Sequence, residues 1–248
     1  MDVRVGTSGF SYDEWKGVFY PEGMKARDRL GYYAQRLPTV EINNTFYRMP
    51  RGSVLEGWSS KVPGDFRFVL KASRRITHQA RIGPEAGDSV RYLWKVAANL
   101  GDRLGPFLFQ LPPYSRKDVD RLRSFLAMLP EGMRAAVEFR HPSWLDDEVY
   151  AALREHGVAM VAADFDDEDA GTPLVVTADF GYLRLRAEDY DDGALTDWAQ
   201  RILTQPWREA YVFFKHEEGG AAPRLAAGLL DEVRTEPIGQ QGRRRPAP

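Results

Sequence analysis

Short apolar runs alternate along the chain with longer stretches whose apolar residues recur every three to four positions. The runs fall at residues 3–6, 39–42, 66–71, 107–110, 135–137, 158–163, 182–185 and 211–214. The helical stretches fall at about 25–37, 53–62, 88–100, 117–128, 146–156, 195–203 and 223–233. In the third, Val90, Leu93, Trp94, Ala97 and Leu100 share one helical face. Strand–helix alternation of this kind predicts a parallel sheet with crossover helices. Eight strands and at least seven helices without a linker predict a single-domain (β/α)8 TIM barrel over 1–234, with the helix after strand six missing or very short. Active sites of such barrels lie at the C-terminal ends of the strands. A doubly wound open sheet is the rival architecture. Residues 235–248, rich in Gly, Pro and Arg, read as a flexible tail.

Alternation within each strand sharpens the location. Side chains two apart share a face, and one face of each strand is bulky and apolar, fit for packing on helices. The other ends late in the strand on polar residues. That predicts an inward ring of Glu41, Asn43, Lys71, Gln110, Glu138, Arg140, Asp164, Arg184, Arg186 and Lys215. On strand six, Val161 and Ala163 are assigned outward, and Ala162 and Asp164 inward. Three carboxylates against five cations give the ring a net charge of +2 on a chain whose net charge is −2. A mouth of that sign favours an anion.

Composition narrows the classes. Hydrophobic residues are 43% and charged residues 28%, as in ordinary globular proteins. The chain is not basic overall, so nucleic-acid binding requires a local patch. There are no cysteines, which excludes disulfides and thiolate metal sites and fits a cytoplasmic location. The first ten residues do not read as a signal peptide, and no apolar run is long enough to span a bilayer.

Seven segments carry a further signal: GTSGFSYDEWKGVFYP at 6–21, EINNTFYRMP at 41–50, FVLKASRRITH at 68–78, FQLPP at 109–113, VEFRHPSW at 137–144, REHGVAMVAAD at 154–164 and YVFFKHEEGG at 211–220. In this order they resemble the YecE-like family, domain of unknown function 72. The resemblance implies a (β/α)8 barrel and supplies no mechanism. Many members look like RLHG after strand seven; here Arg184, Leu185, Arg186 and Ala187 stand there, so no histidine is available at that point.

Three chemistries fit these residues. Glu41 and Glu138, from strands two and five, can serve as an acid–base pair, with His141 or His216 as alternatives for proton transfer. Asn43, Tyr47, Lys71, Gln110, Arg140, Trp144, Asp164, Arg184, Arg186 and Lys215 are the expected ligand contacts. The leading expectation is an enzyme on an anionic, phosphate-bearing ligand, with phosphoester hydrolysis preferred narrowly over sugar-phosphate isomerisation. A divalent metal on Glu138, Asp164 and His216 is a second option, since these are ligand types for such ions. The third is a non-catalytic nucleic-acid-binding module, because Tyr12, Trp15, Tyr20, Phe46, Tyr47 and Trp144 interleave with arginines in the loops. Glycoside chemistry on the carboxylate pair is a further alternative, disfavoured by the positive ring. The run at 243–245 is read as a solvated tail.

Overall fold

The computed structural model describes residues 1–164, 171–187, 190–215 and 218–235. Eight parallel strands close in sequence order: β1 (Asp2–Ser8), β2 (Thr39–Ile42), β3 (Arg67–Lys71), β4 (Leu104–Gln110), β5 (Ala135–Glu138), β6 (Ala159–Ala163), β7 (Phe180–Leu185) and β8 (Glu209–Phe214). β8 returns to β1 along six paired residues, from Asp2 opposite Glu209 to Thr7 opposite Phe214. Closure satisfies every strand edge, and the open-sheet alternative is excluded.

The helices pack outside: α1 (Ala26–Ala34), α2 (Gly52–Ser59), α3 (Gly87–Ala97), α4 (Val119–Ala127), α5 (Asp147–Glu155), α6 (Asp192–Leu203) and α7 (Ala221–Thr235). Acidic N-caps start three of them: Asp118 accepts from the Arg121 N–H, Asp146 from that of Glu148 and Asp191 from that of Ala194. Gly157, at φ +61°, follows the C-cap of α5 in the left-handed conformation that ends helices cheaply. Residues 171–179, between β6 and β7, contain no helix; residues 165–170 of that connection lie outside the described residues. So does nearly all of the expected tail, since α7 runs through Thr235.

Two apolar regions follow from the alternation. The larger one, between strands and helices, contains Val40, Phe68, Leu70, Phe107, Phe109, Val137, Leu183 and Phe214. A smaller one fills the barrel interior with Val69, Leu108, Ala136, Val161, Tyr182 and Phe213. Below it, at the N-terminal end, Glu209 accepts from Arg4 and Tyr211 and pairs with Arg134. Above it lies the polar layer described next. Gly6 lets β1 approach β2: a Cβ there would lie 2.1 Å from the Thr39 carbonyl oxygen.

Strand six corrects the expected alternation. Ala159 and Val161 belong to the barrel interior, while Met160 and Ala162 face the helices. The sequence AMVAA is small on both faces, so the bulk contrast that marks the other strands is missing. Asp164 is accordingly not part of the inward ring. Its carboxylate accepts from the Arg186 N–H at 2.7 Å and from the Tyr190 hydroxyl, bracing the chain as it leaves β7.

Candidate functional site

The C-terminal layer of the barrel is organised by one guanidinium. Arg184, 1% exposed, donates to Glu41 at 2.7 Å and to Glu138 at 2.6 Å; both carboxylates are fully enclosed. Burial opposes its charge, but Glu41 and Glu138 outweigh that cost and hold the proton more tightly than usual. Glu41 also accepts from the Ser8 hydroxyl at 2.7 Å and the Tyr182 hydroxyl at 2.6 Å. Glu138 accepts from Gln110 at 2.8 Å, Arg140 at 3.0 Å and Arg186 at 3.2 Å. Burial would raise the Glu138 pKa, yet Arg184 and Arg140, with the Gln110 hydrogen bond, hold it below the ordinary carboxylate value.

Over this layer opens a cavity of about 380 Å³. Its polar walls are Asn43, Asn44, Lys71, Gln110, Arg140, Arg184, Arg186 and Lys215; Tyr12, Phe46 and Tyr47 complete the rim. Lys71 donates to Gln110 at 2.8 Å, and its ammonium sits 4.6 Å from the centre of the Phe46 ring. Burial first, and then the neighbouring Arg184, lower its pKa to about 8, against the pull of Glu41 and Glu138. His78 packs edge-on against Phe46 at 5.0 Å. Burial, Lys71, Arg140 and Arg74 lower its pKa. Among the described residues, five cations thus line a space whose only carboxylates, Glu41 and Glu138, lie beneath it already engaged.

The structure therefore brings most of the expected contacts together. Asn43, Tyr47, Lys71, Gln110, Arg140, Arg184, Arg186 and Lys215 meet at the cavity. Glu41 and Glu138 do not line it. Trp144 turns outward: it is 1% exposed, stacks on Phe139 at 4.7 Å and donates to the Ser115 carbonyl. His141 caps a short 3₁₀ turn, its Nδ1 accepting from the Ser143 N–H at 3.2 Å and lying 2.8 Å from the Ser143 hydroxyl. Trp15 and Tyr20, expected among the loop aromatics beside arginines, are buried between the β1 loop and α1. His216 lies outside the described residues. Among those described, no three His, Asp or Glu side chains come together as metal ligands. The proposed trio of Glu138, Asp164 and His216 does not fit a metal, because Glu138 is surrounded by guanidinium groups and Asp164 faces Tyr190.

A family model described as "Protein of unknown function DUF72" matches residues 4–248. The chain belongs to the DUF72 family. Two relatives extend the same likeness. This DUF72 chain is 30% identical to the UPF0759 protein YecE of Escherichia coli strain K12, over 94% of this chain and 93% of that protein. It is 27% identical to the UPF0759 protein YunF of Bacillus subtilis, over 92% and 94%. A solved DUF72 family structure from Thermotoga maritima superposes with a TM-score of 0.79 at 27% identity, covering 94% of this chain and all of that one. One from Enterococcus faecalis gives 0.77 at 20% identity, covering 95% and 98%, and supports the fold alone. No helix among the described residues of this DUF72 barrel is long and apolar enough to cross a membrane.

Several site residues escaped the ring derived from alternation. Tyr12, Asn44 and Phe46 line the cavity from the loops after β1 and β2, where period-two reasoning does not reach. Ser8 and Tyr182 clamp Glu41 from within strands. Their inward parity was readable, since Ser8 falls on the parity opposite to the apolar Val3 and Val5, and Tyr182 lies two before Arg184.

Proposed function

We propose that this DUF72 barrel binds a small phosphate-bearing anion at its C-terminal mouth and acts on it there with Lys71 rather than with the carboxylates. The observation that carries this reading is the closed Glu41–Arg184–Glu138 group, which takes both acids out of service and leaves a cavity walled by cationic and amide side chains. A general acid must be able to hold a proton near neutral pH. Glu138 is tuned the other way, whereas Lys71, at about 8, can exchange its proton near neutral pH. Phosphoester hydrolysis, isomerisation or glycoside cleavage by paired carboxylates accordingly loses its acid. Cationic groups held in a protein cavity stabilise a bound phosphate without reorganising.

The test is calorimetric titration of the protein with inorganic phosphate and with a phosphate monoester. Arg140→Ala removes one charged donor at the cavity wall. Such a hydrogen bond contributes about 1.5–3 kcal/mol, so affinity should fall roughly tenfold to a hundredfold. Absence of binding at millimolar phosphate, or an Arg140→Ala variant that binds as well as the wild type, would contradict the proposal.

One observation favours a second reading, a nucleic-acid strand. Tyr47 is shared between the mouth and an outer groove of about 890 Å³ that carries Arg48, Arg51, Arg75 and Tyr92. Aromatic faces beside arginines suit stacked bases and their phosphates. That reading requires an oligonucleotide affinity that falls steeply with salt, and a salt-independent or absent signal would eliminate it.

A further inference from the structure

The surroundings of Lys71 work against its own charge. It stands at the end of β3 with its Nζ at the wall of the cavity. Gln110 on β4 holds the amine through its carbonyl oxygen, and the Phe46 ring covers it from the loop after β2. Arg184 on β7 and Arg140 after β5 oppose its charge, while Glu41 on β2 and Glu138 on β5 favour it, each already bound to Arg184. His78, beyond β3, lies close enough for the Lys71 charge to act on it. Arg186 and Lys215 face the same space. An amine beside other cations and partly removed from water is a nucleophile, because its neutral form is accessible near neutral pH. At pH 8, a group with a pKa of about 8 is about half neutral. The neutral fraction of an ordinary lysine there is roughly a hundredfold smaller.

We propose that Lys71 forms an imine with the carbonyl carbon of a phosphate-bearing aldehyde or ketone held in the mouth, the phosphate lying against Arg140, Arg186 and Lys215. This deepens the anion-binding reading and rests on it. The ammonium first loses a proton to solvent. The Nζ lone pair then forms a C–N bond while the carbonyl π pair moves to oxygen, which takes up a proton as the now-cationic nitrogen releases one, leaving a neutral carbinolamine. The carbinolamine nitrogen supplies the electron pair that expels the hydroxyl group, which leaves as water with a further proton. The product is a protonated imine. Carbonyl compound and lysine ammonium become iminium and water, with no oxidant or reductant involved. The positive iminium lies beside the carboxylate layer that Arg184 joins.

The experiment is borohydride trapping on the intact protein at pH 8. D-Glyceraldehyde 3-phosphate and D-glyceraldehyde are used in parallel, with and without inorganic phosphate as competitor. Modified positions are read by peptide mass spectrometry. The chain has seven lysines, and the five outside the cavity serve as internal controls. The expected result is labelling of Lys71 at least about tenfold faster than the others, dependent on the phosphate of the aldehyde and suppressed by inorganic phosphate. If calorimetry shows phosphate binding but the label spreads evenly over the lysines or is absent, the imine is refuted while anion binding stands. If Lys71 labels equally with the unphosphorylated aldehyde and phosphate does not protect it, the substrate class proposed here is overturned together with the anion reading. Because the wild-type protein is mapped directly, the outcome does not depend on whether Lys71→Met folds.

Discussion

Replacing Arg184 with Met should unmask the cost of the two carboxylates that it neutralises. Methionine keeps much of the volume and removes two short charged hydrogen bonds, at 2.7 Å to Glu41 and 2.6 Å to Glu138. The two acids are not left in equal difficulty. Glu138 retains Gln110, Arg140 and Arg186. Glu41, 0% exposed, retains the hydroxyl groups of Ser8 and Tyr182, neither of which carries charge. Breaking a buried ion pair from one side costs about 3–5 kcal/mol, and Glu41 accounts for most of it here. In a protein of this size that amounts to a fall in Tm of about 6–20 °C. Urea unfolding followed by circular dichroism at pH 8 measures it. Adding Glu41→Gln to the Arg184→Met background should restore at least about 1 kcal/mol. A single variant that loses less than about 1 kcal/mol at pH 8, or a double variant no more stable than the single, would refute the assignment of Arg184 as counterion to Glu41.

Three further outcomes follow from the same geometry. Gly6→Ala places a Cβ 2.1 Å from a backbone oxygen of β2, which cannot yield without parting two strands. Overpacking costs about 1–3 kcal/mol and more where backbone must move, so an unchanged urea midpoint would contradict the close approach. The Glu138 pKa is lowered on folding, so its contribution to stability is present above about pH 4.5, the ordinary value, and lost as pH falls through the lowered one. Lys71 has the opposite protonation chemistry but the same slope: folding lowers its pKa from 10.5 to about 8, so its contribution rises between those pH values. Unfolding titrations of Glu138→Gln and Lys71→Met should flatten the acid and alkaline arms respectively, and arms identical to the wild type would disprove the shifts. His141→Ala removes a cap and should cost about 1 kcal/mol, with phosphate affinity unchanged. A large loss of affinity would return His141 to the site.

The sequence by itself determined the number and order of the strands, their common direction, and which face of most strands turns inward. Each of these follows from local periodicity. Bulky residues two apart on β3, β4, β5, β7 and β8 can bury themselves only against helices, which sends Lys71, Gln110, Glu138, Arg184 and Lys215 the other way. Where that contrast fails, as in Ala159–Ala163, the inward face could not be read, and Asp164 was misplaced with it. Local periodicity also cannot say how deep an inward residue sits or what it meets across the barrel. Only closure of the eight strands brought Arg184 between Glu41 and Glu138, 143 and 46 residues away in sequence. That contact buries both carboxylates against one guanidinium, beneath a wall that carries Lys71, Arg140, Arg186 and Lys215. Tertiary packing likewise drew Trp144 outward onto Phe139 and tied His141 to Ser143. The physical reason is that facing is a property of one strand, whereas charge, depth and exposure are properties of the layer that several strands complete together.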